Sequence, residues 1–319
     1  MNKNNFLYCF DENYNKQALI SIISLLDNLK EKINVYIIHN RPDSFINQLE
    51  TIKNNKLINS IQIFQYQNSG IDLPNLNNSH VSEATYYRLF IENYLPDDIE
   101  EIVYIDADII CLSDPLIQIN EIFLEMMNKN KHVAALTEFV KDDNSKSHFE
   151  RLNLKSKNYF NAGVMLINIK FWKNNKLKNK FLQLIESHRK DIKFWDQDIL
   201  NSYFDGNYFE LDSSLNYKVN LTMKDYSKGF SKNELDKITF LHYAGSFKPW
   251  TVRGAYHKKS QFYHDYFLKI FNKYYHIENT WRKAALLELV KSLITLKILN
   301  TRHPFKFLTY SLKSIFLKK

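Results

Sequence analysis

Six short apolar runs punctuate the chain: 6–10 (FLYCF), 33–38 (INVYII), 102–105 (IVYI), 132–136 (HVAAL), 164–169 (VMLINI) and 238–241 (ITFL). They are rich in β-branched and aromatic residues and too short for buried helices, so they read as buried strands. Between them lie segments with apolar residues at helical spacing: 17–30, 43–54, 82–93, 177–190 and 196–204. Strands alternating with helices predict an α/β layered domain around a largely parallel sheet. The stretch 67–81 is polar and turn-rich and reads as a loop, and 141–158 reads as irregular or mobile. The chain contains no internal repeat and no low-complexity segment.

In such sheets ligands bind beyond the carboxyl ends of the strands. Polar residues gather at those ends here: Asp11 after FLYCF, Asp106 after IVYI, His242 after ITFL. Neither G-x-G-x-x-G nor G-x-x-x-x-G-K-S/T occurs, which argues against a dinucleotide fold of the usual kind and against a P-loop NTPase.

The run ending in Ile105 is followed by Asp106-Ala107-Asp108. In an extended chain the two carboxylates project to one side, with Cα atoms about 7 Å apart. Two carboxylates ~5 Å apart repel by roughly 3 kcal/mol at an effective dielectric of ~20. A divalent cation turns that penalty into a binding site: oxygen ligands suit Mg²⁺ or Mn²⁺, and an added imidazole leans toward Mn²⁺. The plainer alternative is a salt-bridged Asp106 and a turn-capping Asp108.

Four further segments bear on the choice. They are a predicted helix carrying Arg88 (85–109, TYYRLFIENYLPDDIEEIVYIDADI), Asn161-Ala162-Gly163 as a tight entry to a strand (YFNAGVMLINIKFW), Asp196-Gln197-Asp198 opening a helix (FWDQDILNSYF), and His242, Gly245 and Lys248 in LHYAGSFKPW. In this order they resemble the family 8 retaining glycosyltransferases, and within them the bacterial lipopolysaccharide galactosyl- and glucosyltransferases. The resemblance spans about residues 6–250, with a similar basic tail, and implies a GT-A fold: a Rossmann-like mixed sheet flanked by helices.

The resemblance implies a site. Asp106, Asp108 and His242 would hold Mn²⁺ (or Mg²⁺) against the diphosphate of UDP-galactose or UDP-glucose, with Ala107 lining it. Lys248 would place a charge on the diphosphate, and Gly245 would let backbone N–H groups approach it. Asp11, Asn13 and Tyr14 would hold uridine, with Cys9 beside them; where relatives have small residues at 9 and 10, this chain has Cys9 and Phe10. Arg88, Asn161, Ala162, Asp196 and Gln197 would grip the donor sugar. Read alone, each has a structural alternative: Asp11 as a helix cap, Arg88 on a solvated helix face with Glu92, Asp196 and Asp198 as first-turn acids, His242 as a core histidine.

Retaining glycosidases place a carboxylate nucleophile behind the anomeric carbon. The corresponding position is Gln197, whose amide is a poor nucleophile, so front-face attack is the expected route and Asp196 as a covalent nucleophile the alternative. The polar loop 72–81, with His80, and segment 243–251 would line the acceptor site. A non-catalytic UDP-sugar-binding protein, or transfer to a different saccharide or protein acceptor, is the competing functional reading.

Composition adds two points. The formal charge of +8 resides in 281–319, which carries nine Lys/Arg and one acid; the rest balances at 34 of each. Cations interleaved with Leu, Ile and Phe predict a tail, 281–319, that associates with an anionic membrane surface. It would follow a catalytic domain of 1–280 and need no nucleic-acid partner; a helix pair packed on the domain is the alternative. The start holds only five consecutive apolar residues, short of a signal peptide, and Cys9 and Cys111 form no disulfide or zinc pattern. The expected location is cytoplasmic, on the inner face of a bacterial cytoplasmic membrane, with a lipid-linked oligosaccharide as acceptor.

Overall fold

The computed structural model describes residues 4–68, 70–74, 82–221, 226–278 and 283–316. The chain forms two compact units, one of residues 1–19, 28–107 and 113–216, the other of residues 20–27, 108–112 and 217–319.

Ten strands are present among the described residues: β1 (Asn5–Phe10), β2 (Ile33–His39), β3 (Ile58–Gln65), β4 (Glu101–Ile105), β5 (Ile109–Cys111), β6 (Val133–Val140), β7 (Asn158–Asn168), β8 (Phe209–Glu210), β9 (Tyr217–Lys218) and β10 (Phe240–His242). The first unit is built on a seven-stranded sheet in the order β3-β2-β1-β4-β7-β6-β8. Strands β3, β2, β1 and β4 run parallel, while β7 is antiparallel to both β4 and β6. β1 and β2 are buried along their whole length, as their unbroken apolar runs predict. One core cluster, with Leu7, Tyr36, Leu89, Tyr104, Met165 and Trp172, fills one side of this sheet.

Topology gathers polar residues at one edge of this sheet. Because β1 and β4 are parallel, Asp11 and Asp106 leave their strands at the same end. Because β7 returns antiparallel, with Val164 opposite Ile105, residues 161–163 extend past the end of β4 beside Asp106. The Asp106 N–H donates to the Gly163 carbonyl at 2.8 Å. Thus Asn161, Ala162 and Gly163 lie inside a strand that starts at Asn158, not in a turn preceding it.

The predicted helix carrying Arg88 is a 3-10 helix, Glu83–Asn93, capped by Ser82, whose hydroxyl accepts the Ala84 N–H. Eleven residues is long for this conformation, and its three-residue turn aligns side chains at i and i+3. Thr85 and Arg88 therefore share one side. The 141–158 stretch contains a short helix, Lys146–Glu150, rather than being irregular throughout.

The second unit holds the small sheet β5-β10-β9. β10 is antiparallel to β5, pairing His242 with Ile109, so the imidazole stands beside the residue that precedes β5, Asp108. Helices Gln261–Phe271, Lys283–Ile294 and Pro304–Phe316 complete it, around a core of Val252, Tyr256, Tyr275, Leu289, Ile298 and Phe307. Within the helix Lys283–Ile294, Ser292 is buried and bonded to the Tyr256 hydroxyl at 2.5 Å, while Lys291 is exposed.

Candidate functional site

In the first unit Arg88 is the organising group. It is buried, not solvated as a helix-face reading would have it, and spans three partners. Nη2 lies 2.9 Å from Asp106 Oδ1, Nη1 donates to the Ala162 carbonyl at 2.5 Å, and Nε lies 2.8 Å from Asp196 Oδ2. The last contact is a charge contact without hydrogen-bond alignment. The guanidinium also stacks over Tyr104, 4.2 Å from its ring centre, and the Tyr104 hydroxyl donates to Asp106 at 2.5 Å. Asp196 is buried as well, and Thr85 donates to its Oδ1 at 2.9 Å, which places both aligned residues of the 3-10 helix on one carboxylate. Burial pushes the Asp196 carboxyl up to about 6, against the opposing pull of Arg88.

Gln197 follows on the helix Trp195–Phe204. Its Oε1 accepts the Ala162 N–H at 3.0 Å, which fixes which end of the amide is oxygen. Its nitrogen is then left facing Glu138 Oε2 at 3.2 Å and the Tyr159 hydroxyl at 3.4 Å. Asn161 donates to the same Glu138 oxygen at 2.8 Å. Asp198 is turned away from such work. It accepts two hydrogen bonds from Arg151 at 2.6 Å, one from Tyr159, and two from the Lys193 and Phe194 amides. That network, with Asn201 paired to both backbone groups of Phe160, ties the helix to β7. The helix opens at Trp195 with φ of +45°, a left-handed conformation costly for a bulky residue, so the surroundings impose it.

At the end of β1, Asp11 accepts the Asn13 N–H at 2.9 Å and caps the 3-10 turn Glu12–Tyr14 rather than the following helix Asn15–Asn28, which starts after Tyr14 without a side-chain cap. Asn13 is exposed and Tyr14 half-buried. Cys9 and Phe10 point to opposite faces of the strand. Cys9 lies in the core cluster near Arg88, and burial raises its thiol pKa. Phe10 is taken up on the other face, edge-on to His39 and Phe45 at 4.9 and 5.0 Å, so its bulk is absorbed by the core.

The second unit holds the rest. His242 Nε2 lies 3.4 Å from Asp108 Oδ1, and Lys248 Nζ donates to Asp108 Oδ2 at 2.6 Å and to the Tyr243 carbonyl at 2.6 Å. Burial works to raise the Asp108 pKa, yet Lys248 and His242 hold it below the usual carboxylate value. Asp108 Oδ1 is buried without a hydrogen-bond donor. Gly245 has φ of +83°, where a side chain would be strained. Gly254 is packed so closely under Lys248 that a Cβ would lie 1.9 Å from the Lys248 carbonyl oxygen. His80 lies outside the described residues. Asp72, from the same loop, is salt-bridged to Arg189 at 2.7 Å.

A carboxylate with an orphaned buried oxygen and an adjacent imidazole is a donor set that fits a divalent cation. Sequence reasoning missed Glu138, Thr85, Tyr159 and Arg151. Of these only Thr85 carried a signal, three residues before Arg88.

The model of the family described as glycosyl transferase family 8 matches residues 5–253. The chain is 32% identical over 296 residues to a lipopolysaccharide 1,2-glucosyltransferase of Escherichia coli, covering 90% of this chain and 82% of that protein. It is also 32% identical over 216 residues to a lipopolysaccharide 1,3-galactosyltransferase of Salmonella typhimurium, covering 66% and 58%. Among solved structures, the galactosyltransferase LgtC with donor and acceptor sugar analogs superposes with a TM-score of 0.60 at 19% identity, over 77% of this chain and 89% of that one. That likeness is one of fold, and the GT-A arrangement expected from the sequence is the one observed.

Proposed function

From the premise that this chain belongs to glycosyl transferase family 8, we propose that it moves galactose or glucose from a UDP-sugar, with retention, onto a lipopolysaccharide-type saccharide. The observation that carries the reading is Arg88, which ties the first aspartate of Asp106-Ala107-Asp108 to the Asp196-Gln197-Asp198 helix through one buried guanidinium. A sugar hydroxyl that enters such a pocket meets charged groups that reject an unpaired substrate.

Asp106, Asp108 and His242 would hold a divalent cation, with Mn²⁺ preferred for the imidazole. When bound, the cation neutralises the diphosphate that leaves with uridine. Lys248 moves from Asp108 to the diphosphate, and Gly245 lets the chain pass close to it. Asp11, Asn13 and Tyr14 receive the nucleoside at the end of β1. Arg88, Asn161 and Asp196 orient the donor sugar, and Gln197, its carbonyl oxygen held by Ala162, lines the anomeric side. An amide there does not form a covalent sugar adduct, so the acceptor hydroxyl attacks from the face that UDP leaves and its proton passes to a leaving phosphate oxygen. Asp196, held by Arg88 and Thr85, is a positioning residue in this scheme.

The tail docks on an anionic membrane surface at the inner face of a bacterial cytoplasmic membrane. Two features support this: Leu287, Val290, Ile294, Leu299 and Phe305 are exposed, and Lys291, Arg302 and Lys306 are exposed among them. Among the described residues no helix is long and apolar enough to cross a membrane. Leu289, Ile298 and Phe307 belong to the core of the second unit, so deleting 281–319 would damage the fold. Serine replacements of Leu287, Ile294 and Phe305 are the sound variants, and unchanged binding to anionic vesicles would refute docking.

The decisive experiment is turnover of a UDP-sugar panel with Mn²⁺ and with EDTA, alongside calorimetry of UDP. Uptake of UDP without turnover of any UDP-sugar would favour the non-catalytic binding reading.

A further inference from the structure

The second unit holds a cavity of about 250 Å³ between the helix Gln261–Phe271 and the segment 300–303. None of the residues assigned above to donor or metal lines it. Its volume is at the small end for ligand pockets, which run from roughly 300 Å³ upward.

Hydrogen-bond donors outnumber acceptors among its charged and titratable walls. Lys258 brings three N–H donors, and His303 at least one in either neutral tautomer. Arg302 brings five, of which one, on Nη1, goes to Asp265 Oδ1 at 2.6 Å. Asp265 is the single carboxylate among the lining residues, and its other oxygen accepts from Gln261 at 3.4 Å. Both of its oxygens are thus engaged within the wall. Lys258 has no ion-pair partner among the described residues. Two cations against one carboxylate leave the lining net positive, a charge that anionic oxygens answer and a neutral ligand does not.

The surroundings narrow the anion. The segment 300–303 is bracketed by Leu299 and Phe305, 57% and 81% exposed. Lys306 stands over the ring of Tyr274, 5.6 Å from its centre, and Tyr274 is itself a wall of the cavity. Cationic walls beside exposed apolar side chains match a molecule with phosphate at one end and hydrocarbon behind it. A free phosphate would use the cations and leave Leu299 and Phe305 in water.

We propose that this cavity takes the phosphate of an anionic phospholipid headgroup, held by Lys258, Arg302 and His303, with the acyl chains toward Leu299 and Phe305. The site rests on the membrane docking proposed above and sharpens it: part of the attraction is to one seated headgroup, and not only to the negative surface as a whole.

The test is co-sedimentation of the full chain with phosphatidylcholine vesicles, with and without phosphatidylglycerol, beside a phosphorus NMR titration with inorganic phosphate. The double variant Lys258→Gln/Arg302→Gln is compared with Lys291→Gln/Lys313→Gln, which removes the same charge from outside the cavity. All four side chains are exposed, so neither variant threatens the fold. Attraction to the surface as a whole would weaken both variants alike. A seated headgroup requires that Lys258→Gln/Arg302→Gln lose at least fivefold more affinity for the phosphatidylglycerol vesicles than the other pair. Equal losses would overturn the proposal. So would saturable binding of inorganic phosphate that vanishes in Lys258→Gln/Arg302→Gln while vesicle binding is unchanged, which would assign the cavity to a soluble phosphate. A wild type that ignores phosphatidylglycerol vesicles altogether would refute docking itself, and the headgroup site with it.

Discussion

Lys248 Nζ sits 2.6 Å from Asp108 Oδ2, so the ammonium proposed to meet the donor diphosphate is paired with a carboxylate proposed to bind metal. Both side chains are largely buried. Lys248 and His242 together favour the ionised form of Asp108 against the opposing effect of burial.

Replacing Lys248 with Met should therefore act twice. Without metal it strands a buried carboxylate, a change typically costing about 3–5 kcal/mol when one partner of a buried pair is removed. With Mn²⁺ the ion takes over that neutralisation, so the loss in Tm should shrink. Turnover should stay down by roughly 10²-fold even with saturating Mn²⁺, since a charge on the leaving group is gone. Equal Tm losses in EDTA and in Mn²⁺ would argue against Asp108 as a metal ligand.

Arg88→Lys retains the charge and should still fail. A lysine cannot reach Asp106, the Ala162 carbonyl and Asp196 together, nor stack on Tyr104 as a plane. We expect UDP-sugar turnover to fall by more than 10²-fold and stability to drop by about 3 kcal/mol or more. Measured kcat/KM within tenfold of wild type would show that the guanidinium fork is not required.

Much of this was readable in the chain. Unbroken apolar runs marked β1, β2 and β4, because strands buried on both faces need no alternation. β3 was not seen: as an edge strand it is half-exposed, and INSIQIFQ mixes polar residues into its pattern. The start of β7 was misplaced because YFNAG carries turn residues whose polar groups are satisfied by other strands and the following helix, which no local pattern records. For the same reason Glu138 was invisible. It acts through Asn161 and Gln197, 23 and 59 residues away, and its neighbours in sequence say nothing of either.

Glu138 yields the third prediction. One of its carboxylate oxygens accepts from both Asn161 and Gln197, so it is a positioning residue for the amide that lines the anomeric side. Glu138→Ala should lower kcat by about tenfold to hundredfold, the range seen when an outer-shell partner is lost, with donor KM little changed. Glu138→Gln keeps an acceptor oxygen and should recover most of the rate. A uniform rise in KM with kcat intact would mean that Glu138 serves binding alone.

Two buried groups of the first unit titrate in overlapping acid windows with opposite sign. His39 accepts the Arg41 N–H on Nδ1 at 2.8 Å, while Nε2 faces Asn15 Oδ1 at 2.9 Å, which fixes the neutral ring. Burial lowers its pKa from 6.5 to about 4. Between these values the unfolded chain binds the proton and the native state does not. His39 thus favours folding fully above 6.5 and loses that contribution as pH falls toward 4. Asp196, raised from 3.8 to about 6 by burial, does the reverse: the native state binds the extra proton between those values, so its contribution is fully present below 3.8 and is lost as pH rises through 6. Thermal unfolding from pH 4 to 7 should therefore separate the pair. His39→Gln should flatten the acid-side loss of Tm, whereas Asp196→Asn should steepen it. Asp196→Asn should also remove an acid limb near pH 6 from the turnover profile, because protonated Asp196 no longer answers the Arg88 charge. If mass spectrometry instead traps a glycosyl adduct on Asp196 in the wild type, the residue is a nucleophile and front-face attack is wrong.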